Sequence, residues 1–243
     1  MQGGCILTEK VVMMSGSDRD RLLSDYRSRY HQFGYSPKTL GWDKGKQNIR
    51  FDVLTSQWDL KGKRILDVGC GFGDLNLFLQ NKGISDYKYV GIDVVDELIQ
   101  EAKIRNAHNG NAEISYICGD FLTFESVDRF DYVISSGAFN RKFFGELDNY
   151  TFIEECMSKA LNLCNEGIAF DFLSDKVDYQ YEHTFHSAPE RILGMAYKWS
   201  RNVLLRNDYM PFEFCLFIFK DDSFDKKDTV FRRYWMTSEE RSL

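Results

Sequence analysis

The sequence predicts an α/β fold: a doubly wound, mostly parallel seven-stranded sheet with an N-terminal helical cap and a C-terminal antiparallel hairpin. Three observations carry that prediction. Short apolar runs alternate with helix-like stretches through the middle of the chain, the pattern of a parallel sheet covered on both faces. Runs such as Ile65-Leu66-Asp67-Val68 and Tyr89-Val90-Gly91-Ile92 are apolar almost throughout, as strands buried on both sides must be. Two later runs, 201–207 and 213–220, lie too close together for a crossover helix, so they pair antiparallel.

Taken in order, residues 1–16 carry no periodic pattern. Ser17 to Phe33 reads as a helix, with Leu22, Leu23, Tyr26 and Tyr30 at three- and four-residue steps. Ser17 is its expected N-cap, Asp18 and Asp20 fall in the first turn, and Gly34 and Pro37 end it. A second helix is expected from about Lys44 to Trp58, carrying Phe51, Val53 and Leu54. Strands follow at 64–68, 88–92, 114–117, 130–134 and 167–173, with helices at 74–82, 96–108 and 148–164 between them. A helix at 189–199 leads into the closing hairpin. On this reading residues 1–43 form an N-terminal segment and helical lid, 44–220 the α/β domain, and 221–243 a tail without an assigned element.

The composition is that of a folded, water-exposed domain. In 243 residues, 43% are hydrophobic, with 20 Phe, 13 Tyr and only 3 Pro, which supplies a core and opposes disorder. A net charge of −6 argues against nucleic acid as a partner, because phosphate neutralisation needs a basic footprint. Arg19, Arg21, Arg27 and Arg29 alternate with Asp18, Asp20 and Asp25, and are read as a solvated helix face. The six cysteines form no C-x-x-C pair and fit a reducing cytoplasm. No run approaches the ~20 apolar residues that span a bilayer. A cytoplasmic protein without a membrane partner is the expectation. Nothing in the sequence sets an oligomeric state.

The chemistry concentrates after the first strands. In Ile65-Leu66-Asp67-Val68-Gly69-Cys70-Gly71-Phe72-Gly73-Asp74, a buried strand ends in an acid and a glycine-rich turn opens a helix. Glycines suit a backbone that must turn tightly and approach a ligand. A dinucleotide site spaces its glycines G-x-G-x-x-G and sets a pyrophosphate on the helix N-terminus. Here the spacing is D-x-G-x-G-x-G, and Asp67 and Asp74 oppose a phosphate. Asp67 suits a ligand bearing a cationic amino group. Asp93 ends the second strand, placed to accept from ribose hydroxyls. Asp120 and Phe121 follow the third strand, one able to accept from an adenine amine, the other to pack on its ring. The fourth strand ends in Ser135-Ser136-Gly137-Ala138-Phe139-Asn140, small residues and then an aromatic and an amide at the cleft.

Over roughly residues 44–220 this ordered set resembles the class I S-adenosylmethionine-dependent methyltransferases. The resemblance implies that Asp67, Gly69, Gly71 and Gly73 cradle the methionine moiety, that Asp93 and Val94 hold the ribose and flank the adenine, and that Asp120, Phe121 and Ser135 complete the cofactor site. It implies S-adenosylmethionine as methyl donor, S-adenosylhomocysteine as product, and no metal. The fourth motif lacks the Asn/Asp-Pro-Pro-Tyr sequence of enzymes that methylate base amines or glutamine amides, which points away from those substrates.

Outside these motifs, Gln47 and Arg50 lie one turn apart on the second helix, and Arg50 is the candidate partner of the methionine carboxylate. Tyr26, Tyr30, Tyr35 and Trp42 are read as an aromatic lid around the acceptor, with Phe139 and Asn140 further candidates for its wall; a core-packing stripe explains Tyr26 and Tyr30 equally well. His183 and His186 are the candidate general bases, since a sugar hydroxyl must lose its proton. The expected reaction is in-line methyl transfer to an oxygen or nitrogen of a small metabolite or sugar. A protein or RNA methyltransferase, or a catalytically silent S-adenosylmethionine-binding subunit, are the alternatives.

Overall fold

A computed structural model describes residues 14–42, 45–106 and 113–239. The seven strands are β1 (Lys63–Val68), β2 (Tyr87–Asp93), β3 (Glu113–Cys118), β4 (Phe130–Ser135), β5 (Cys164–Leu173), β6 (Val203–Arg206) and β7 (Glu213–Phe219). They form one sheet in the order β3-β2-β1-β4-β5-β7-β6. The first five are parallel, and β7 runs antiparallel to both β5 and β6. The strand order reverses between β1 and β4, so their carboxyl ends open the crevice where such sheets bind ligands.

Alternation along the strands sorts the core into two layers. Leu66, Val68, Val133, Ile168 and Phe170 point to one face, covered by α5 (Asn149–Leu163) and α6 (Pro189–Ala196). Ile65, Tyr89, Ile134, Ala169 and Phe217 point to the other, covered by α2 (Gln47–Thr55), α3 (Asp74–Asn81) and α4 (Asp96–Arg105). A third, small cluster joins the lid to the domain: Phe72, Val95 and Leu98 pack with Leu22, Leu23, Tyr26 and Tyr30 of α1 (Gly16–Phe33).

Several boundaries differ from the sequence reading for local reasons. Ser15, not Ser17, caps α1, its Oγ accepting from the Asp18 amide at 3.1 Å. The second helix is shorter at both ends than 44–58. Thr55 and Ser56 hydroxyls donate to the carbonyls of Phe51 and Val53, both at 2.7 Å, at its last turn. β5 begins at Cys164, directly after α5, three residues earlier than expected. The 96–108 helix ends at Arg105, with residues 107 and 108 outside the described ones. The tail carries a helix, α7 (Arg232–Glu239), and Arg233 lies 3.7 Å above the Phe219 ring.

Arg19, Asp20, Arg21 and Arg27 of α1 are exposed, as a solvated face, but Asp18 is not, and several of these charges also tie the helix down. Asp18 is buried and accepts from the amides of Phe144 and Gly145 at 3.0 and 2.9 Å. Asp25 pairs with Arg141. On the other side Arg27 meets Glu97 at 2.7 Å and Tyr30 donates to Glu101 at 3.0 Å. The helix is thereby tied to α4 and to the segment after β4.

Candidate active site

The turn after β1 is shaped by its own backbone and by β2. Gly69, Gly71 and Gly73 have φ of 72°, 53° and 74°, in the left-handed region that side chains avoid. The amides of Gly69 and Cys70 donate to the Ile92 carbonyl at 2.8 and 3.1 Å. The Gly71 amide donates to Asp93 Oδ2 at 2.9 Å, and the Val95 amide to Asp93 Oδ1 at 3.0 Å. A carboxylate has about four lone-pair directions, so Asp93 keeps two for a ligand after orienting the turn. Burial raises its pKa.

Asp67 is 3% exposed and takes a hydrogen bond from Tyr89 Oη at 2.5 Å. Burial pushes its pKa up to about 7, with Tyr89 opposing and the nearby Asp93 charge adding to the rise. A buried acid of this kind gains from a ligand that brings a cation. Asp120 accepts from the Leu122 amide at 3.0 Å, capping a 3₁₀ turn at Phe121–Thr123, while Arg19 stands 3.7 Å away.

These groups line one cleft of about 1110 Å³, its open mouth included. Asp67, Gly69, Gly71, Asp93, Val94, Asp120 and Phe121, the residues read from the sequence as cofactor contacts, line it. Gln47, Trp42 and Phe139, also singled out from the sequence, line the same space. The donor set fits an amino-acid-bearing nucleoside: a carboxylate for an ammonium, a two-oxygen acceptor for a ribose diol, and a ring beside an acid for adenine. Among the described residues, no group of three or more His, Cys, Asp or Glu could hold a metal ion.

Other candidates lie elsewhere. Arg50 is 6% exposed and forms a two-pronged pair with Glu213, its Nε donating to Oε2 at 2.6 Å. Arg50 does not line the cleft, so the structure does not set its guanidinium where a methionine carboxylate would lie. Gly73 does not line the cleft; a Cβ there would lie 2.5 Å from Tyr116 Oη, which explains the glycine by packing. Ser135 is fully buried and donates to the Val68 carbonyl at 2.8 Å, tying β4 to β1. Its neighbour Ser136 takes the place at the cleft.

Tyr30 packs in the lid cluster with its hydroxyl on Glu101, and Tyr26, one turn earlier, lines the cleft instead. Asn140 serves the backbone, its Oδ1 accepting from the Leu173 amide and its carbonyl from the Phe185 amide. His183 is exposed and stacks on Tyr181, with ring centroids 5.7 Å apart. His186 has both ring nitrogens engaged, Nδ1 with the Ser174 carbonyl at 2.7 Å and Nε2 with Thr184 Oγ1 at 3.1 Å. Neither histidine lines the cleft.

Sequence reasoning missed a buried network beneath the cleft. Asp171, 1% exposed in the middle of β5, accepts from Ser136 Oγ at 2.7 Å and from the Gly137 amide at 2.6 Å. Burial, then the Glu213 charge, raise its pKa to about 6. Trp42 packs on Gly137 so closely that a Cβ there would stand 2.3 Å from Cζ2. The Arg50 guanidinium lies 3.9 Å from the same indole. A signal existed, an acid inside the apolar run Gly167-Ile168-Ala169-Phe170-Asp171-Phe172-Leu173, but nothing in the sequence told what it served.

Comparison with known proteins gives this arrangement a context. Residues 59–201 match a family model described as a methyltransferase domain. A ubiquinone biosynthesis O-methyltransferase of Neisseria meningitidis is 35% identical over 85 residues, 32% of this chain and 35% of that protein. The chain therefore spans about a third of that relative's length. An uncharacterized RNA methyltransferase of Clostridium acetobutylicum is 26% identical over 114 residues, 46% of this chain and 24% of that protein. In fold, the chain is similar to the magnesium protoporphyrin IX methyltransferase of Synechocystis crystallised with SAH, with a TM-score of 0.59 at 14% identity. That match covers 83% of this chain and 97% of the other.

Proposed function

This chain belongs to the class I S-adenosylmethionine-dependent methyltransferases, and from that premise we propose that it methylates an oxygen or nitrogen of a small molecule. The observation that carries the proposal is the convergence of Asp67, Asp93 and Asp120 with an aromatic lid on one cleft.

When bound, S-adenosylmethionine would supply an activated methyl group on a sulfonium whose leaving group, S-adenosylhomocysteine, is neutral at sulfur. The chain's part is to bind and align. Asp67 would receive the ammonium, Asp93 the ribose hydroxyls, and Asp120 with Phe121 the adenine. The Gly71 amide, tied to Asp93, fixes the turn against which the donor would rest. Trp42, Phe139 and the lid helix α1 would exclude water and hold the acceptor in line, which supplies much of the rate for an activated donor.

The two histidines proposed as bases stand outside the cleft, which removes the support for a sugar hydroxyl. An acceptor with a free lone pair or an acidic hydroxyl fits better. An RNA acceptor finds little support: no Lys or Arg is among the described residues that line the cleft, and Arg19, Arg27 and Arg141 are paired with Asp120, Glu97 and Asp25.

The test is transfer of labelled methyl from S-adenosylmethionine into separated small-molecule, RNA and protein fractions of a cell extract. Label in the small-molecule fraction supports the proposal. Label confined to RNA or protein overturns the choice of acceptor. Tight cofactor binding with no label in any fraction points to the silent binding subunit.

A further inference from the structure

Ser136 follows β4 where that strand meets the turn after β1. Its neighbour Ser135 donates to the Val68 carbonyl at 2.8 Å, and a Cβ on Gly69 would stand 2.9 Å from the Ala138 Cβ. Residues 136–138 therefore lie against the turn on its β4 side, while Asp93 of β2 holds the same turn from the other. Asp67, Gly69, Asp93 and Ser136 all line the one cleft. In the donor named above, sulfur bonds both the amino-acid chain and the ribose. With those two parts on Asp67 and Asp93, the methyl carbon would fall over the turn that Ser136 flanks.

Ser136 is backed by an acid. Its Oγ donates to Asp171 Oδ2 at 2.7 Å, and the Gly137 amide donates to Oδ1 at 2.6 Å. A hydroxyl has one proton and two lone pairs; this one spends its proton inward, so it meets a ligand as an acceptor. An amide oxygen could serve both donors without the cost of burying a charge, so the carboxylate itself needs a reason. Burial and then the Glu213 charge raise the pKa of Asp171 to about 6, while Arg50, Ser136 and Gly137 lower it. Cys215 stands opposite on β7, and Tyr209 Oη is buried without a hydrogen-bond partner among the described residues. Burial and then the Asp171 charge keep both of these protonated. Asp67, two strands away, feels the same charge. The group in this cluster set to exchange a proton near neutral pH and joined to the cleft by a hydrogen bond is Asp171.

We propose that Ser136 and Asp171 form a relay that takes the proton of a hydroxyl acceptor, Ser136 receiving it at the cleft and Asp171 holding its equivalent below. This rests on the cofactor placement proposed above. As the acceptor oxygen bonds the methyl carbon and the carbon–sulfur pair stays on the departing thioether, the acceptor proton passes to Ser136 Oγ and the Ser136 proton to Asp171 Oδ2. One positive and one negative charge cancel, and Asp171 returns the proton through Ser136 once product has left. Ser136 touches the acceptor; Asp171 acts through it. A carboxyl of this strength is a base for a phenol- or enol-type hydroxyl, not for an unactivated alcohol. An amine acceptor would keep its proton, since its product is a stronger base than a carboxylate, and needs no relay.

The experiment titrates the full chain, Ser136→Ala and Asp171→Asn in a calorimeter with S-adenosylhomocysteine and with sinefungin, which carries an ammonium in place of the methyl sulfonium. Both variants should bind S-adenosylhomocysteine within about twofold of wild type and sinefungin about tenfold more weakly, the loss of a hydrogen bond to a charged group. The wild-type preference for sinefungin should also shrink from about pH 7.5 to about pH 5, as Asp171 takes up a proton, and Asp171→Asn should abolish that trend. Asp67 acts on both ligands alike and drops out of the ratio. Equal weakening of the two ligands marks a structural role and overturns the proposal, as does no change in either. Should Asp171→Asn fail to fold, Ser136→Ala carries the same comparison. With S-adenosylmethionine saturating, label transfer into the small-molecule fraction should show an acidic limb near pH 6 and fall at least about a hundredfold in Ser136→Ala; a fall below about tenfold overturns the relay. Absence of S-adenosylhomocysteine binding to wild type sinks the methyltransferase assignment and this proposal together, whereas binding without the sinefungin difference sinks this proposal alone.

Discussion

The two halves of the cleft floor are built on different principles. Under β1 and β2, the ligand groups are strand ends and the residues that follow directly: Asp67 and its glycines, then Asp93, which reaches the Gly71 amide 22 positions away. Under β4, β5 and β7, the wall depends on a chain of distant partners. Trp42 rests on Gly137, Gly137 on Asp171, and Arg50 on Glu213, a pair separated by 163 residues. One half is backbone chemistry repeated wherever a strand turns into a helix. The other is buried charge and aromatic packing that exist only once the fold is complete. In the proposed function, cofactor recognition would then rest on local sequence and acceptor recognition on tertiary structure.

The largest expected effect tests the long-range half. Arg50→Met leaves Glu213, 12% exposed, without its cation, and should cost about 3–5 kcal/mol of unfolding free energy in urea denaturation. The double change Arg50→Met with Glu213→Leu should recover most of that loss, because an apolar pair can replace a buried ion pair at little cost. A loss below about 1 kcal/mol would match an exposed ion pair and remove the contrast between the halves.

The local half is tested at Asp93. Asp93→Ala should weaken S-adenosylhomocysteine binding by about 1.5–3 kcal/mol, the scale of hydrogen bonds to a charged group. Calorimetry reads it directly. An unchanged dissociation constant would contradict the ribose assignment and leave Asp93 only its role of holding Gly71 and Val95.

A smaller effect comes from pH. The folded pKa of Asp67, pushed up to about 7, lies above the ordinary carboxylate value near 4. Between those values the folded chain holds a proton that the unfolded chain has released, so this residue's share of stability is full below about pH 4 and is lost as pH rises to 7. Ligand affinity runs the other way, since an ammonium needs the ionised acid. Binding of S-adenosylhomocysteine should weaken by up to about tenfold per pH unit below 7, and Asp67→Asn should flatten that dependence while weakening binding overall. A wild-type affinity constant from about pH 7 to 5.5 would show that the cation does not meet Asp67.

The contrast also explains what the sequence could reveal. The fold was legible because each strand carries its burial in its own composition, and because Gly69, Gly71, Asp93 and Asp120 sit at fixed places relative to strand ends. Arg50 was misread: as a lone arginine on a helix it has no visible partner, and Glu213 lies far along the chain. Ser135 and Ser136 were not separable, since the alternation of one strand residue decides which faces β1 and which the cleft. Among the α1 charges, Asp18 looked solvated because the Phe144 and Gly145 amides that it accepts from come from elsewhere in the chain. Tyr26 and Tyr30 share a helical stripe, and only the docking angle of α1 sets one in the cleft and the other on Glu101.

The smallest expected effect settles where the acceptor half ends. His183 is exposed, stacked on Tyr181 and absent from the cleft wall. His183→Ala should therefore leave kcat within about twofold once an acceptor is in hand, against the 10²–10⁴-fold loss typical when a general base is removed. His186 is a weaker test, because its ring nitrogens bridge the Ser174 carbonyl and Thr184 and its loss would disturb the loop. A large fall in kcat for His183→Ala, with KM unchanged and the acidic limb of the pH profile altered, would mean that the loop at 176–186 folds over the bound acceptor. The second half of the site would then reach beyond Trp42 and Phe143, and an alcohol acceptor, which needs that base, would return to contention.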